Sequence, residues 1–184
     1  YWWVFFKWRT NNNNIIWVGD GITGSGLSDM FRSTDGGLTF TRLYSGPSSE
    51  IPMISSPHLN PSLGLATHWS SGGVDRTTNL GASWTQVSSA NSAWGTDFAK
   101  DDPNVVTFGV YSGGVNYISL DAGATGTFQT TALGGTNYGY YAVDRATMLA
   151  MQAYLRQSSD ARASGSSAAA SRSSAPVPTS LRAP

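Results

Sequence analysis

Three stretches of this 184-residue chain carry one pattern: RSTDGGLTF from Arg32, RTTNLGASW from Arg76 and SLDAGATGTF from Ser119. Aligned, Ser33, Thr77 and Ser119 coincide, as do Asp35, Asn79 and Asp121, and Gly37, Gly81 and Gly123. Thr39, Ser83 and Thr127 follow, then the aromatic residues Phe40, Trp84 and Phe128. The third copy carries a two-residue insertion near 124–126. Thr77 follows Ser33 by 44 residues and Ser119 follows Thr77 by 42. A period of this length means one supersecondary unit used several times, each unit burying its faces against its neighbours.

The similarity extends upstream of each box. NNNIIWVGD, NPSLGLATH and DPNVVTFGV each place a polar turn before an apolar, strand-like run. GITGSG, SSGG and YSGG follow as Gly-rich turns, and FTRLYS, WTQVSS and FQTTAL follow the boxes as strands. One unit therefore reads turn, strand, Gly-rich turn, strand, box turn, strand. A period of about 43 residues matches four-stranded propeller blades. The composition agrees. Only 12% of residues are charged while 12% are aromatic, and Gly numbers 21, which suits short strands and tight turns better than long helices.

The pattern S-x-D-x-G-x-T-W/F resembles the Asp-box, or BNR repeat, of sialidases, xyloglucanases, sortilin-type receptors, photosystem II assembly factors and large secreted bacterial proteins. RSTDGGLTF carries every element of it. The resemblance spans roughly residues 11–133. It implies an all-β fold, a β-propeller or partial propeller built of antiparallel four-stranded blades. The expected units are an aromatic N-terminal strand (1–10) and blades over 11–56, 57–92 and 93–135. A partial unit (136–157) and a flexible or extended Ser/Ala/Pro-rich tail (158–184) follow. Within 144–157 two readings compete: a helix capped by Asp144, and the strand pair that a propeller favours. Three clear units reach only the lower edge of what a closed ring needs, so self-assembly or a longer parent chain is expected.

In that family the box is a turn between two strands. Asp35, Asn79 and Asp121 are expected to accept hydrogen bonds from their own turn backbone, as Asx residues do. An amide can replace the carboxylate in that role but not as an acid or nucleophile, so Asn79 favours a structural box. STDGGLTF lacks the regularly spaced carboxylates of a calcium loop. The expected structural set is Ser33, Asp35, Gly37, Thr39 and Phe40, then Thr77, Asn79, Gly81, Ser83 and Trp84, then Ser119, Asp121, Gly123, Thr127 and Phe128, with Phe40 packed under its turn.

Catalytic motifs are not evident. The arginine triad and Tyr/Glu pair of sialidases find no local pattern around Glu50, the only Glu. The candidate carboxylates outside the boxes are Asp20, Asp29, Asp75, Asp97, Asp101, Asp102 and Asp144, read mainly as turn or strand-end residues. His58 and His68 alone do not make a metal site, no G-x-S-x-G elbow occurs, and the chain has no cysteine. No catalytic residue, metal or cofactor is assigned. Trp69 and Tyr111, beside Gly-rich turns, together with Asp20 and Asp97, are the candidate ligand surface. Trp94, Tyr138, Tyr140 and Tyr141 belong to the wider aromatic set, while Trp17 and Trp84 are expected between blades.

A net charge of zero argues against nucleic acid, and no apolar run is long enough to span a bilayer. The absence of an initiator Met points to a mature or incomplete chain. The expected role is an extracytoplasmic Asp-box module at the cell surface. It would bind a protein or polysaccharide or serve in surface assembly. The alternative is a glycoside hydrolase of the sialidase or xyloglucanase type.

Overall fold

The computed structural model describes residues 2–7, 14–21, 28–45, 50–111, 113–124, 128–132 and 144–151, with 153, 154, 156, 157, 160 and 161 beyond them. The Gly-rich turn at 22–27, Thr127, Tyr138, Tyr140, Tyr141 and tail residues 162–184 lie outside the described residues. Among the described residues twelve strands form three four-stranded sheets, each in chain order. The first holds β1 (Trp2–Lys7), β2 (Ile16–Gly21), β3 (Asp29–Ser33) and β4 (Thr41–Ser45). The second holds β5 (Met53–Ser55), β6 (Gly64–His68), β7 (Gly73–Thr77) and β8 (Thr85–Ser88). The third holds β9 (Ala93–Phe98), β10 (Val106–Val110), β11 (Val115–Ser119) and β12 (Gln129–Ala132). Every pairing is antiparallel. The aromatic strand at the N-terminus thus belongs to the first sheet, and Met53–Ser55 opens the second.

The sheets stack face to face, and this explains the sequence of their inner strands. LeuAlaThr in β6 and ThrPheGly in β10 lie in strands buried along their whole length, because each has a neighbour on both faces. Edge strand β8 exposes Thr85 and Gln86 instead. Trp17, Met30, Ile51, Ile54 and Ala66 fill the space between the first and second sheets. Leu65, Val74, Ala93, Val106 and Phe108 lead the larger cluster between the second and third. Each Leu, Ile, Val, Met or Phe among them contributes about 1.5–3 kcal/mol by burial. Gly64 permits the first of these contacts: a Cβ there would lie 2.9 Å from the Trp17 ring. At the centre, β5 packs against both β1 and β9. The Ser55 and Thr96 hydroxyls meet there at 3.3 Å.

Arginines link consecutive sheets. Arg32 Nη1 donates to the Leu80 carbonyl, and Arg76 Nε donates to the Ala122 carbonyl at 2.8 Å. Leu80 and Ala122 occupy the same repeat position, and both have positive φ, 58° and 59°. That conformation is uncommon for residues with a side chain. It sits in the turn whose carbonyl takes the arginine of the preceding sheet.

Beyond the third sheet a helix replaces the strand pair favoured at 144–157. Residues 145–151 form α1, and the described residues from there to 161 are helical too, including 160 and 161 of the segment expected to be flexible or extended. Asp144 caps it: Oδ1 accepts from the Thr147 amide at 2.8 Å and Oδ2 from the Thr147 hydroxyl at 2.9 Å. These bonds hold the Asp144 carboxyl below its ordinary pKa. Met148 packs with Ala99, Val105 and Ile118, giving the helix an apolar anchor. Local helix propensity and the cap therefore prevail over the repeat at this point. Among the described residues no helix is long and apolar enough to cross a membrane.

Candidate ligand-binding face

Each sheet has two ends, and the repeat treats them differently. At one end lie the box turns, β3 to β4, β7 to β8 and β11 to β12. There the Ser33 hydroxyl donates to Asp35 Oδ1 at 2.7 Å and accepts from the Gly37 amide at 2.8 Å. Asp35 Oδ1 also accepts from the Thr39 amide at 3.0 Å, and Oδ2 from the Thr39 hydroxyl at 2.6 Å. Both carboxylate oxygens are thus engaged within the turn. The hydroxyls of Ser33 and Thr39 hold the Asp35 carboxyl far below the usual carboxylate range.

The second turn repeats this network with an amide. Asn79 Oδ1 accepts from the Thr77 hydroxyl at 2.9 Å and the Ser83 amide at 3.0 Å, while its Nδ2 donates to Ser83 Oγ at 2.9 Å. In the third, the Ser119 hydroxyl donates to Asp121 Oδ1 at 2.6 Å and accepts from the Gly123 amide at 2.8 Å. The Ala124 amide also donates to Asp121 Oδ1 at 3.2 Å. A backbone bond ties each turn to the preceding hairpin: Gly36 N to Asn14 O, Leu80 N to Ser62 O, and Ala122 N to Asn104 O. The aromatic positions differ. Trp84 lies edge-on to Trp17, 6.0 Å between ring centroids, and Phe128 packs into the second cluster. Phe40, expected under its turn, is 43% exposed. No described sheet lies on the side to which Trp84 and Phe128 reach in the later repeats.

The opposite end gathers aromatic side chains. Trp69 follows β6, Tyr111 follows β10 and Trp94 lies at the start of β9. Trp69 meets Trp94 edge-to-face at 5.2 Å and Tyr111 edge-to-face at 5.0 Å, while Trp94 and Tyr111 are tilted to each other at 5.6 Å. All three are half-buried, so each keeps part of its ring in contact with solvent. Backbone bonds hold the group: Trp69 N to Glu50 O at 3.1 Å, Ser92 N to Ser70 O at 2.7 Å, and Tyr111 N to Ser92 O at 2.8 Å. Ser70 and Ser92 both have positive φ, 65° and 56°. Two strained serines bonded to each other beside a partly exposed aromatic triad distinguish this end from the rest of the sheets. Glu50 lies in the connection from β4 to β5, and burial pushes its carboxyl pKa up.

Trp69 and Tyr111 of the sequence-derived ligand surface come together, joined by Trp94. The two aspartates do not sit in that triad. Asp97 lies three positions along β9 from Trp94, opposite Thr107, and its Oδ1 accepts from the Phe98 amide at 3.0 Å. Asp20 pairs with Trp3 in β1 and β2, and its side chain lies outside the described residues. Other carboxylates have structural partners: Asp29 with Arg42 at 2.7 Å, Asp101 with the Arg145 amide at 2.7 Å, and Asp102 with Arg145 Nε at 3.4 Å. His68 and Asp75 form a fully buried pair, Nε2 to Oδ2 at 3.1 Å, inside the stack. Among the described residues no three His, Asp or Glu side chains gather as metal ligands do. Glu50 has no local motif around it in the sequence. Its only signal was position, in the connection between two repeats.

No protein-family model matches the chain. No curated protein matches it either. Solved structures do. An ancestral GH74 enzyme superposes with a TM-score of 0.56 at 14% identity, over 70% of this chain and 18% of that one. The GH74 enzyme of Niastella koreensis gives 0.50 at 22% identity, over 67% and 21%. YCF48 bound to a D1 peptide gives 0.49 at 16%, over 67% and 40%. The chain spans about a fifth of the length of the two GH74 enzymes. The likeness to the two GH74 enzymes, at these identities, concerns architecture alone: the chain is all-β, and its three sheets are blades of the β-propeller type.

Proposed function

We propose that the chain is an Asp-box repeat module that works outside the cytoplasm and binds a neutral polysaccharide, or a protein, through Trp69, Trp94 and Tyr111. In this reading the box turns are structural, since their polar groups satisfy one another. The observation that carries the proposal is the aromatic triad at the end away from the boxes. Partly exposed, rigidly held rings are what sugar faces stack on, and what protein partners bury at the centre of an interface. Low charge around such rings favours an uncharged ligand over nucleic acid. The test is tryptophan fluorescence titration with xyloglucan oligosaccharides and other soluble neutral glycans. Saturable quenching that is lost in Trp69→Ala and Tyr111→Ala supports the reading. Quenching that survives both substitutions, or none with any glycan or protein partner tried, rejects it.

A second reading, glycoside hydrolysis, has one specific observation in its favour. Glu50 has a carboxyl raised by burial, the property of a general acid, and its backbone is bonded to Trp69. Hydrolysis also needs a second carboxylate about 5–9.5 Å away. Reducing-sugar release from xyloglucan, abolished by Glu50→Gln with binding retained, would establish it.

A further inference from the structure

Each junction between sheets is built from the same two parts. The arginine just before the turn reaches forward, from Arg32 to the Leu80 carbonyl and from Arg76 to the Ala122 carbonyl. The aromatic residue after the turn packs back, as Trp84 does on Trp17 and Phe128 does in the cluster between the second and third sheets. At the third sheet the arginine's position is taken by Ile118. Val115 and Tyr117 pack toward the second sheet, so alternation turns Ile118 the other way. There it is 1% exposed, against Met148 of α1. Polar contacts fix the helix on that face: the Arg145 amide on Asp101, Arg145 Nε on Asp102, and Arg156 on Gln129 of β12. At the first sheet the complementary parts stand open. Phe40 is 43% exposed, Gly36 is exposed in the place of Leu80 and Ala122, and among the described residues no arginine reaches it.

We propose that α1 is a built-in stop. It occupies the blade-docking face of the third sheet and keeps a second copy of this chain from stacking its first sheet there. Two devices act together. α1 covers the apolar face around Ile118, and Ile118 itself withholds the guanidinium that the Gly36 carbonyl of an incoming copy would accept. A stack with complementary ends would otherwise grow without closing, because head-to-tail contacts that do not form a ring make filaments. Repeat arrays need such terminal caps to remain soluble.

The test uses the full chain, with mass read by light scattering over a range of concentrations and α1 followed by amide hydrogen exchange. The unsubstituted chain keeps one mass and a protected α1. Met148→Asp loses that protection and gains a mass that rises with concentration. Adding Ile118→Arg restores the missing donor and lowers the concentration for half-association about tenfold or more, as a charge-assisted hydrogen bond does. Phe40→Lys, placed at the open end of either variant, returns it to the starting mass, and aggregation of unfolded chain would not depend on Phe40. The proposal is overturned if Met148→Asp leaves α1 protected or the mass unchanged, if Ile118→Arg does not strengthen association, or if association survives Phe40→Lys.

Discussion

Replacing Arg76 by Met tests whether the arginines hold the stack together. Methionine keeps most of the apolar stem and removes the donor, so packing changes little. The lost bond is Nε to the Ala122 carbonyl, 2.8 Å, between a half-buried side chain and a buried residue. A hydrogen bond involving a charged partner is worth about 1.5–3 kcal/mol, and a buried acceptor left empty adds its own desolvation penalty. Arg76 keeps some contact with water, which lowers the figure, so a loss of about 2 kcal/mol is expected. For a domain of this size that is a fall in Tm of roughly 4–8 °C. Calorimetry and urea unfolding measure it, with hydrogen exchange locating the loosening at β7 and the turn after β11. Arg42→Met is the comparison. That arginine is 57% exposed and paired with Asp29 at the surface, where ion pairs contribute little. If Arg76→Met and Arg42→Met lower Tm equally, the arginines are surface charges and not ties between sheets.

Three further predictions follow from local physics. Glu50→Gln raises stability at neutral pH: burial raises the folded-state pKa, so the favourable contribution of the protonated acid is present below the ordinary Glu pKa and is lost as pH rises through the folded value. The gap between variant and parent in Tm should close in acid. Asp35→Asn behaves in the opposite sense, because the Asp35 carboxyl is depressed. The ionised form supports the fold above the ordinary Asp pKa and ceases to as pH falls toward the folded value, so parent and variant converge in strong acid and diverge near neutrality. Gly73→Ala disrupts the hairpin between β6 and β7: its φ is 76° and a Cβ would lie 2.2 Å from the Ser88 carbonyl oxygen. Loss of more than about 2 kcal/mol in urea unfolding is expected.

The strands and turns were legible because their determinants are local and repeated. Ser33, Asp35, Gly37 and Thr39 carry the turn network within seven residues, and Thr77, Asn79, Gly81 and Ser83 restate it with an amide in place of the carboxylate. Trp69 and Tyr111 were legible for the same reason, standing beside Gly-rich turns. Trp94 could not be singled out, since its contact with them depends on how β9 packs beside β6, a non-local fact. His68 and Asp75 lie seven residues apart, and only the pairing of β6 with β7 brings them together. The helix after Asp144 lost to the repeat in the sequence reading. Its cap and its helix formers were visible, but the periodic pattern upstream favoured another strand pair. Phe40 shows the limit of reading one repeat from the others, because its burial depends on a neighbour and not on its own turn.

The two ends of each sheet answer different demands. At the box end the Ser/Thr and Asp/Asn side chains bond one another and their own turn backbone within a few residues, so the turn can tolerate Asn for Asp and Ser for Thr. At the other end, backbone bonds between different repeats hold Trp69, Ser70, Ser92 and Tyr111, and two serines occupy a conformation that costs each about 1 kcal/mol or more. That cost is sustained only because the sheets below are tied rigidly by the arginines and the two apolar clusters. An aromatic end built this way depends on the spacing between sheets. Loss of the Arg76 tie should therefore disturb the Trp69–Trp94–Tyr111 triad, which spans the second and third sheets, from the far end of the same junction.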